Sequence, residues 1–190
     1  PVPHTQTAGT GTVSFTNIVN VVCDNGIDEA TRNRVKDIFA AHNVTVTFSD
    51  AASSTESNVY LGVNGANGQG NALATQLGLS TDVLTKEGKF DRHILSLTDG
   101  GNGTAQLLVL GENTDATFFG LASLEQMLDN GTEGLATVTI YDYASLKERG
   151  VIEGFYGKPY AGEVRQDLLR FMMRYKMNCY VYGPKSDYYH

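Results

Sequence analysis

The tail of the chain constrains the fold most. Residues 151–157 form a short β-branched and aromatic run, and Pro159 breaks it. Residues 163–177 then place Val164, Leu168, Phe171, Met172 and Tyr175 on one helical stripe. A second apolar run, 179–182, is stopped by Gly183-Pro184. Strand, helix and strand over so short a stretch make one βαβ unit with parallel strands. Such a unit cannot bury both faces of its strands alone. Residues 148–190 therefore read as the opening of a larger parallel α/β domain, with exposed strand edges and apolar faces. Three outcomes are expected for it: packing back on the preceding residues, a dimer or swap through the exposed edge, or poor order.

Upstream, elements of both periods alternate. Residues 1–11 are rich in Thr, Gly and Pro and read as a loose lead. Strands are predicted over 13–23, 44–48, 59–63 and 135–141. A helix after Asp28 carries Thr31, Val35, Ile38, Phe39 and His42 on one face, and a short one is expected over 72–77. Residues 93–97 and 106–110 are joined by Asp99-Gly100-Gly101-Asn102-Gly103, a strong turn signal. A further helix starts at Thr114 or Asp115, with Phe118, Leu121, Ala122, Leu124 and Leu128 as its apolar face and Gly131 or Gly134 as its stop. Hairpins mixed with crossovers predict an α/β (α+β) fold. Its first part, 1–147, is a mixed sheet with helices mainly on one face, and 148–190 follows as a separate unit.

Composition narrows the partners. The net charge is −7, which argues against an electrostatic grip on nucleic acid or an anionic membrane. No apolar run reaches the ~18 residues that a membrane span needs. Cys23 and Cys179 match no metal spacing and read as buried free thiols, the alternative being a disulfide joining two distant parts of the chain. The four histidines do not cluster, so no metal is expected; no cofactor is expected either. A start at Pro1-Val2-Pro3 without Met suggests a mature or trimmed chain.

Several residues could carry chemistry. Glu153 and Asp187 flank the two strands of the βαβ unit and could share acid–base work; the alternative is a strand-end acid held by hydrogen bonds. Lys185 follows the second strand, where parallel α/β folds bind ligands. Gly154 and Gly157 at the end of the first strand would let a ligand approach the backbone, or serve only a tight exit. Seven of the ten tyrosines fall in the last forty positions, as a sugar-stacking surface or as amphipathic core edges. The Gly-rich stretch 64–70 lacks a following Lys-Ser/Thr, so it is not read as a nucleotide loop.

The blocks Arg149-Gly150-Val151-Ile152-Glu153-Gly154-Phe155-Tyr156-Gly157-Lys158-Pro159-Tyr160 and Lys176-Met177-Asn178-Cys179-Tyr180-Val181-Tyr182-Gly183-Pro184-Lys185-Ser186-Asp187-Tyr188-Tyr189-His190 resemble glycoside hydrolase family 84. That family contains β-N-acetylglucosaminidases, including O-GlcNAc-removing enzymes and enzymes known as hyaluronidases. Residues 1–147, marked by Asp115-Ala116-Thr117-Phe118-Phe119-Gly120, resemble its N-terminal α/β domain, which is similar to the non-catalytic domain of family 20 hexosaminidases.

The resemblance implies that residues 149–190 supply the first strand, helix and second strand of a (β/α)8 catalytic barrel. It implies a retaining, substrate-assisted mechanism through an oxazoline, worked by an Asp pair on a later strand. No Asp-Asp occurs in this sequence, so no catalytic residue is expected here and the chain alone is expected to be inactive. Substrate contacts are implied for the Gly154 backbone and the Lys185 side chain, with Tyr156 as a pocket wall. Ser186 and Tyr188 stand where many relatives have Asp and Pro, departures that touch a loop. The implied partner is a glycan containing N-acetylglucosamine, and the implied setting is secreted, periplasmic or cell-surface. The alternative is a non-catalytic carbohydrate-binding or scaffolding module.

Overall fold

The computed structural model describes residues 2–154 and 159–183. Its first part is a seven-stranded mixed sheet in the order β1-β7-β5-β6-β4-β2-β3. The strands are β1 (Thr5–Val13), β2 (Ile18–Cys23), β3 (Thr45–Ser49), β4 (Ser57–Val63), β5 (Phe90–Asp99), β6 (Ala105–Gly111) and β7 (Leu135–Ala144). β3, β2, β4 and β6 run parallel, while β5 and β7 are antiparallel additions and β1 closes the edge. Helices α1 (Glu29–Ala40), α2 (Gln69–Gln76) and α3 (Thr114–Met127) belong to this part. A separate pair, β8 (Gly150–Ile152) and β9 (Cys179–Val181), is parallel and linked by α4 (Gly162–Arg174). This is the βαβ unit expected from the tail.

Alternation along the central strands builds two cores. Val19, Val21, Val59, Leu61, Leu95, Leu97, Leu107 and Val109 face α1 and α3. Val22, Tyr60, Ile94, Leu108 and Leu110 face the other way, toward Leu73 and Ala74 of α2 and Leu84 of a short 3₁₀ turn. The two longer helices thus lie on one face, as expected, and the short α2 with the 3₁₀ turn covers part of the other. Strands apolar on both faces read as continuous runs, as buried parallel strands must. Each fully buried Leu adds about 1.5–3 kcal/mol relative to an exposed one.

Local signals placed the boundaries. Asp28 caps α1 by accepting from Thr31 N at 2.8 Å. The β5–β6 turn is pinned by Asp99 Oδ1, which accepts from Gly101 N and Gly103 N at 2.8 and 3.0 Å. The α3 cap is Asn113, whose Oδ1 accepts from Ala116 N at 2.8 Å, one residue before the expected Thr114. On α3, Phe119 is buried and Phe118 is not; Phe118 instead lies under the Arg34 guanidinium, 4.5 Å from its ring centroid.

Residues 5–13 correct the expected loose lead: they form β1, paired antiparallel with β7. The strand exposes nearly every side chain, so backbone pairing rather than apolar burial holds it. The register shifts between Ala8 and Thr12, where Gly11 sits at φ +83°. β2 begins at Ile18, later than the expected strand over 13–23, because residues 14–17 turn the chain from β1 into it. Both cysteines are free but only half-buried, not fully buried. Burial pushes the Cys23 thiol up to about 11.

Candidate active-site edge and the seam behind it

Gly154 lies at the C-terminal end of β8 and is exposed, open to an approaching ligand. Tyr156, Lys185 and Asp187 lie outside the described residues. Glu153 is 4% exposed, and its carboxylate is fully engaged. Arg165 Nε and Nη2 of α4 donate to its two oxygens at 2.7 Å each. Tyr180 Oη of β9 donates to Oε2, and Tyr160 N reaches Oε1 at 3.4 Å. The Arg165 hydrogen bonds, helped by Tyr180, hold Glu153 down at about 2 despite its desolvation. A carboxyl that never protonates near neutrality cannot donate a proton there. Of the two readings open for Glu153, the hydrogen-bonded strand-end acid is the one the geometry has.

The β8–α4–β9 unit packs back on the seven-stranded part, the first of the three expected outcomes. The C-terminal carbonyls of α4, which a helix cannot satisfy itself, are met from across the seam. Arg34 Nη2 donates to Met173 O at 3.1 Å and Gln126 Nε2 to Arg174 O at 2.9 Å. Within the tail unit Arg149 Nε donates to Lys176 O at 3.0 Å, while its Nη2 reaches across the seam to Asp91. Arg174 in turn forks onto Asp129 at 2.6 and 2.7 Å. Cations at a helix C-terminus also suit its dipole.

Lys176 is the centre of the seam. Its ammonium donates to Asp142 Oδ2 at 2.7 Å and Ser123 Oγ at 2.8 Å, and meets His93 Nε2 at 3.1 Å. His93 Nδ1 lies 2.7 Å from the Asp91 carbonyl, so Nδ1 carries the proton and Nε2 accepts from Lys176. Three donors thus find three acceptors. Burial, with the Lys176 charge beside it, pushes the fully enclosed His93 down to about 3, so the ring is neutral. Burial would raise Asp142, but the Lys176 charge and hydrogen bond outweigh it and hold it at about 2. Burial also lowers Lys176, opposed by Asp142. The cluster therefore encloses one cation and one anion. His4 completes it, donating from N and facing Asp142 Oδ1 through Nδ1 at 2.8 Å while stacking on Tyr143 at 3.8 Å.

Sequence reasoning passed over Lys176, His93, Asp142, Arg149 and Arg165. The available signal was a polar residue inside each of two apolar strand patterns, His93 on β5 and Asp142 on β7, which the sheet places directly opposite one another. On α4, the expected apolar stripe is mostly uncovered: Met172 is buried, whereas Val164 and Phe171 are exposed. Ile152, Val181 and Tyr182 are exposed beside it. The βαβ unit thus presents exposed apolar side chains.

The corresponding strand ends of the seven-stranded sheet are closed from within. Asp24, just past β2, accepts from Gly70 N at 3.0 Å and Asn71 Nδ2 at 3.2 Å at the start of α2. A Cβ on Gly68 would sit 2.0 Å from Asp24 Oδ1, so the Gly-rich loop wraps a side chain of its own protein. A groove of about 710 Å³ between α1, α3 and α4 lies on the seam and does not include Gly154. Among the described residues, no helix is long and apolar enough to cross a membrane.

Comparison with known proteins fits this geometry. Residues 1–143 match the family described as glycosyl hydrolase family 20, domain 2. The chain belongs to that family. Residues 149–190 match a second family, described as β-N-acetylglucosaminidase. The mouse protein O-GlcNAcase is 36% identical over 77 residues, covering 36% of this chain and 8% of that protein. The solved structure of CpGH84D superposes with a TM-score of 0.88 at 31% identity, covering 100% of this chain and 31% of that one. A family 20 exo-β-N-acetylglucosaminidase from Vibrio harveyi, solved with N-acetylglucosamine, shares the fold at TM-score 0.67 and 14% identity, over 95% of this chain and 24% of its own. These likenesses make the domain 2 chain the N-terminal region of a glycoside hydrolase family 84 protein. It spans less than a tenth of the curated relative and about a third of the solved one.

Proposed function

We propose that this chain is the N-terminal part of a retaining, substrate-assisted β-N-acetylglucosaminidase that removes terminal N-acetylglucosamine from glycoconjugates. Residues 148–190 then open a (β/α)8 barrel, and residues 1–147 are its non-catalytic brace. The observation that carries the reading is the parallel β8–α4–β9 unit, with Gly154 exposed at a strand's C-terminal end and an uncovered apolar face beside it. In that reading the Gly154 backbone and the Lys185 side chain contact the sugar, and Tyr156 forms a wall. The 2-acetamido oxygen attacks the anomeric carbon, and an Asp pair from a later strand polarises the acetamido N–H and transfers the proton. This departs from the usual scheme of two enzyme carboxylates at the scissile bond. The 190 residues alone are then inactive, since general acid–base catalysis alone is worth ~10²–10⁴-fold. A secreted, periplasmic or cell-surface setting belongs to the same proposal.

The bracing role for residues 1–147 is favoured over glycan binding by two observations. Polar contacts at the seam go to α4, its following loop and Arg149, and the strand-end crevice is filled by Asp24. Side-by-side assays with an aryl N-acetyl-β-glucosaminide test the reading. The complete protein should turn it over with a β-configured first product and be inhibited by a thiazoline mimic of the oxazoline; the 190-residue chain should not turn it over. Inverted product, or turnover by the short chain, would overturn it.

A further inference from the structure

We propose that Glu153 is a positioning residue of the sugar site, acting through its fork with Arg165 and its bond from Tyr180 to hold the Gly154 backbone where the substrate meets it. This rests on the reading of Gly154 as a substrate contact.

The β8–β9 ladder is only three residue pairs long. Short ladders splay at their ends, and Gly154 has no side chain with which to anchor itself. One residue earlier, Glu153 continues the ladder through its N–H to Val181 O at 3.0 Å. Its carboxylate then gathers three further parts of the unit. Arg165 brings the first turns of α4, Tyr180 brings β9, and Tyr160 N brings the segment that leads into α4. Arg165 itself lies 4.9 Å over the Tyr182 ring, so β9 is held from two of its residues. A buried carboxylate is retained where it is fully paired, and a bidentate guanidinium fixes angle as well as distance. Gly154, which follows Glu153 directly, and Tyr160, which leads into α4, are thereby both held by one residue. Preorganisation of this kind sets the site before substrate arrives.

Glu153 has no proton-transfer part in this role. Its two oxygens are taken by four donors, and it points into the unit rather than toward the open strand end.

The test uses the complete enzyme with an aryl N-acetyl-β-glucosaminide, comparing Glu153→Gln, Arg165→Lys and Tyr180→Phe with wild type after correction for folded fraction by thermal melting. A misplacement of about 1 Å costs on the order of 10²-fold. Glu153→Gln should lower kcat/KM by roughly 10–100-fold, mainly in kcat, with both limbs of the pH profile unmoved. Arg165→Lys, which keeps the charge and loses the fork, should fall by less, and Tyr180→Phe by least. Wild-type kcat/KM in all three folded variants would overturn the inference while leaving the reading of the enzyme intact. So would a pH limb that moves with Glu153→Gln, which would make it a titrating group, or failure of all three variants to fold, which would make the knot a folding element. Absence of turnover by the wild-type enzyme would remove the reading itself, and the inference with it.

Discussion

Lys176 Nζ lies 2.7 Å from Asp142 Oδ2, across the junction between the β8–α4–β9 unit and the seven-stranded sheet. The pair is largely enclosed beside a neutral His93, and the cluster around it, with Ser123 and His4, draws on five separate parts of the chain. An apolar seam would let two surfaces slide, whereas a buried ion pair with every proton matched allows one register. The first strands of the proposed barrel are therefore fixed to the preceding fold through a geometry that tolerates little displacement.

Removal of one partner tests this. Lys176→Met leaves Asp142 buried without its cation, and breaking a buried pair from one side costs ~3–5 kcal/mol. Lys176→Met combined with Asp142→Leu should recover much of that loss, because no charge is then stranded. Urea unfolding gives the totals. Hydrogen exchange should place the loosening in α4, β8 and β9 rather than in the central strands β4 and β6.

Acid should release the same seam. His93 is held neutral in the folded protein at about 3, so as pH falls below its ordinary value near 6.5 the unfolded chain takes up a proton that the folded one refuses. Asp142, held at about 2, adds to the loss at lower pH, since its stabilising charge is complete above the ordinary carboxylate value and fades as pH falls through about 2. Stability should thus be full above about pH 7 and fall by up to ~1.4 kcal/mol per pH unit between 6 and 4. His93→Gln should flatten that slope in a pH series of urea melts, even where it lowers stability at pH 7.

Gly150 permits the β8–β9 pairing. A Cβ at this position would sit 1.5 Å from Cys179 O, which no side-chain adjustment relieves because the obstacle is backbone. Gly150→Ala should separate the two strands at a cost of ~1–3 kcal/mol, the usual range for overpacking. The amides of Val151 and Cys179–Val181 should lose protection while the seven-stranded sheet keeps its own.

Much of the fold is legible in the sequence, for physical reasons that differ by element. Asp28 before the α1 stripe, the glycine-rich turn between β5 and β6, and the apolar runs of β4 and β6 each state their structure locally. β1 does not, because its Thr and Gly residues bury almost nothing and its pairing depends on β7, far away in the chain. The choice between Phe118 and Phe119 also escapes local periodicity, since the Phe118 ring is covered by Arg34 of another helix rather than by the sheet. The exposed glycine of the candidate site follows from its strand-end position. The Lys176 cluster could not be read in advance: its members come from β5, β7, α3, the N-terminal lead and the loop after α4, and only the sheet order brings them together.

A crystal structure of the complete enzyme with N-acetylglucosamine or its thiazoline mimic would show where the sugar meets this part of the protein. The Gly154 backbone and the Lys185 ammonium should both lie within hydrogen-bond distance of one sugar ring, with the seven-stranded part making no contact. A ring bound on the seven-stranded part, or seated in the barrel beyond reach of both residues, would contradict it.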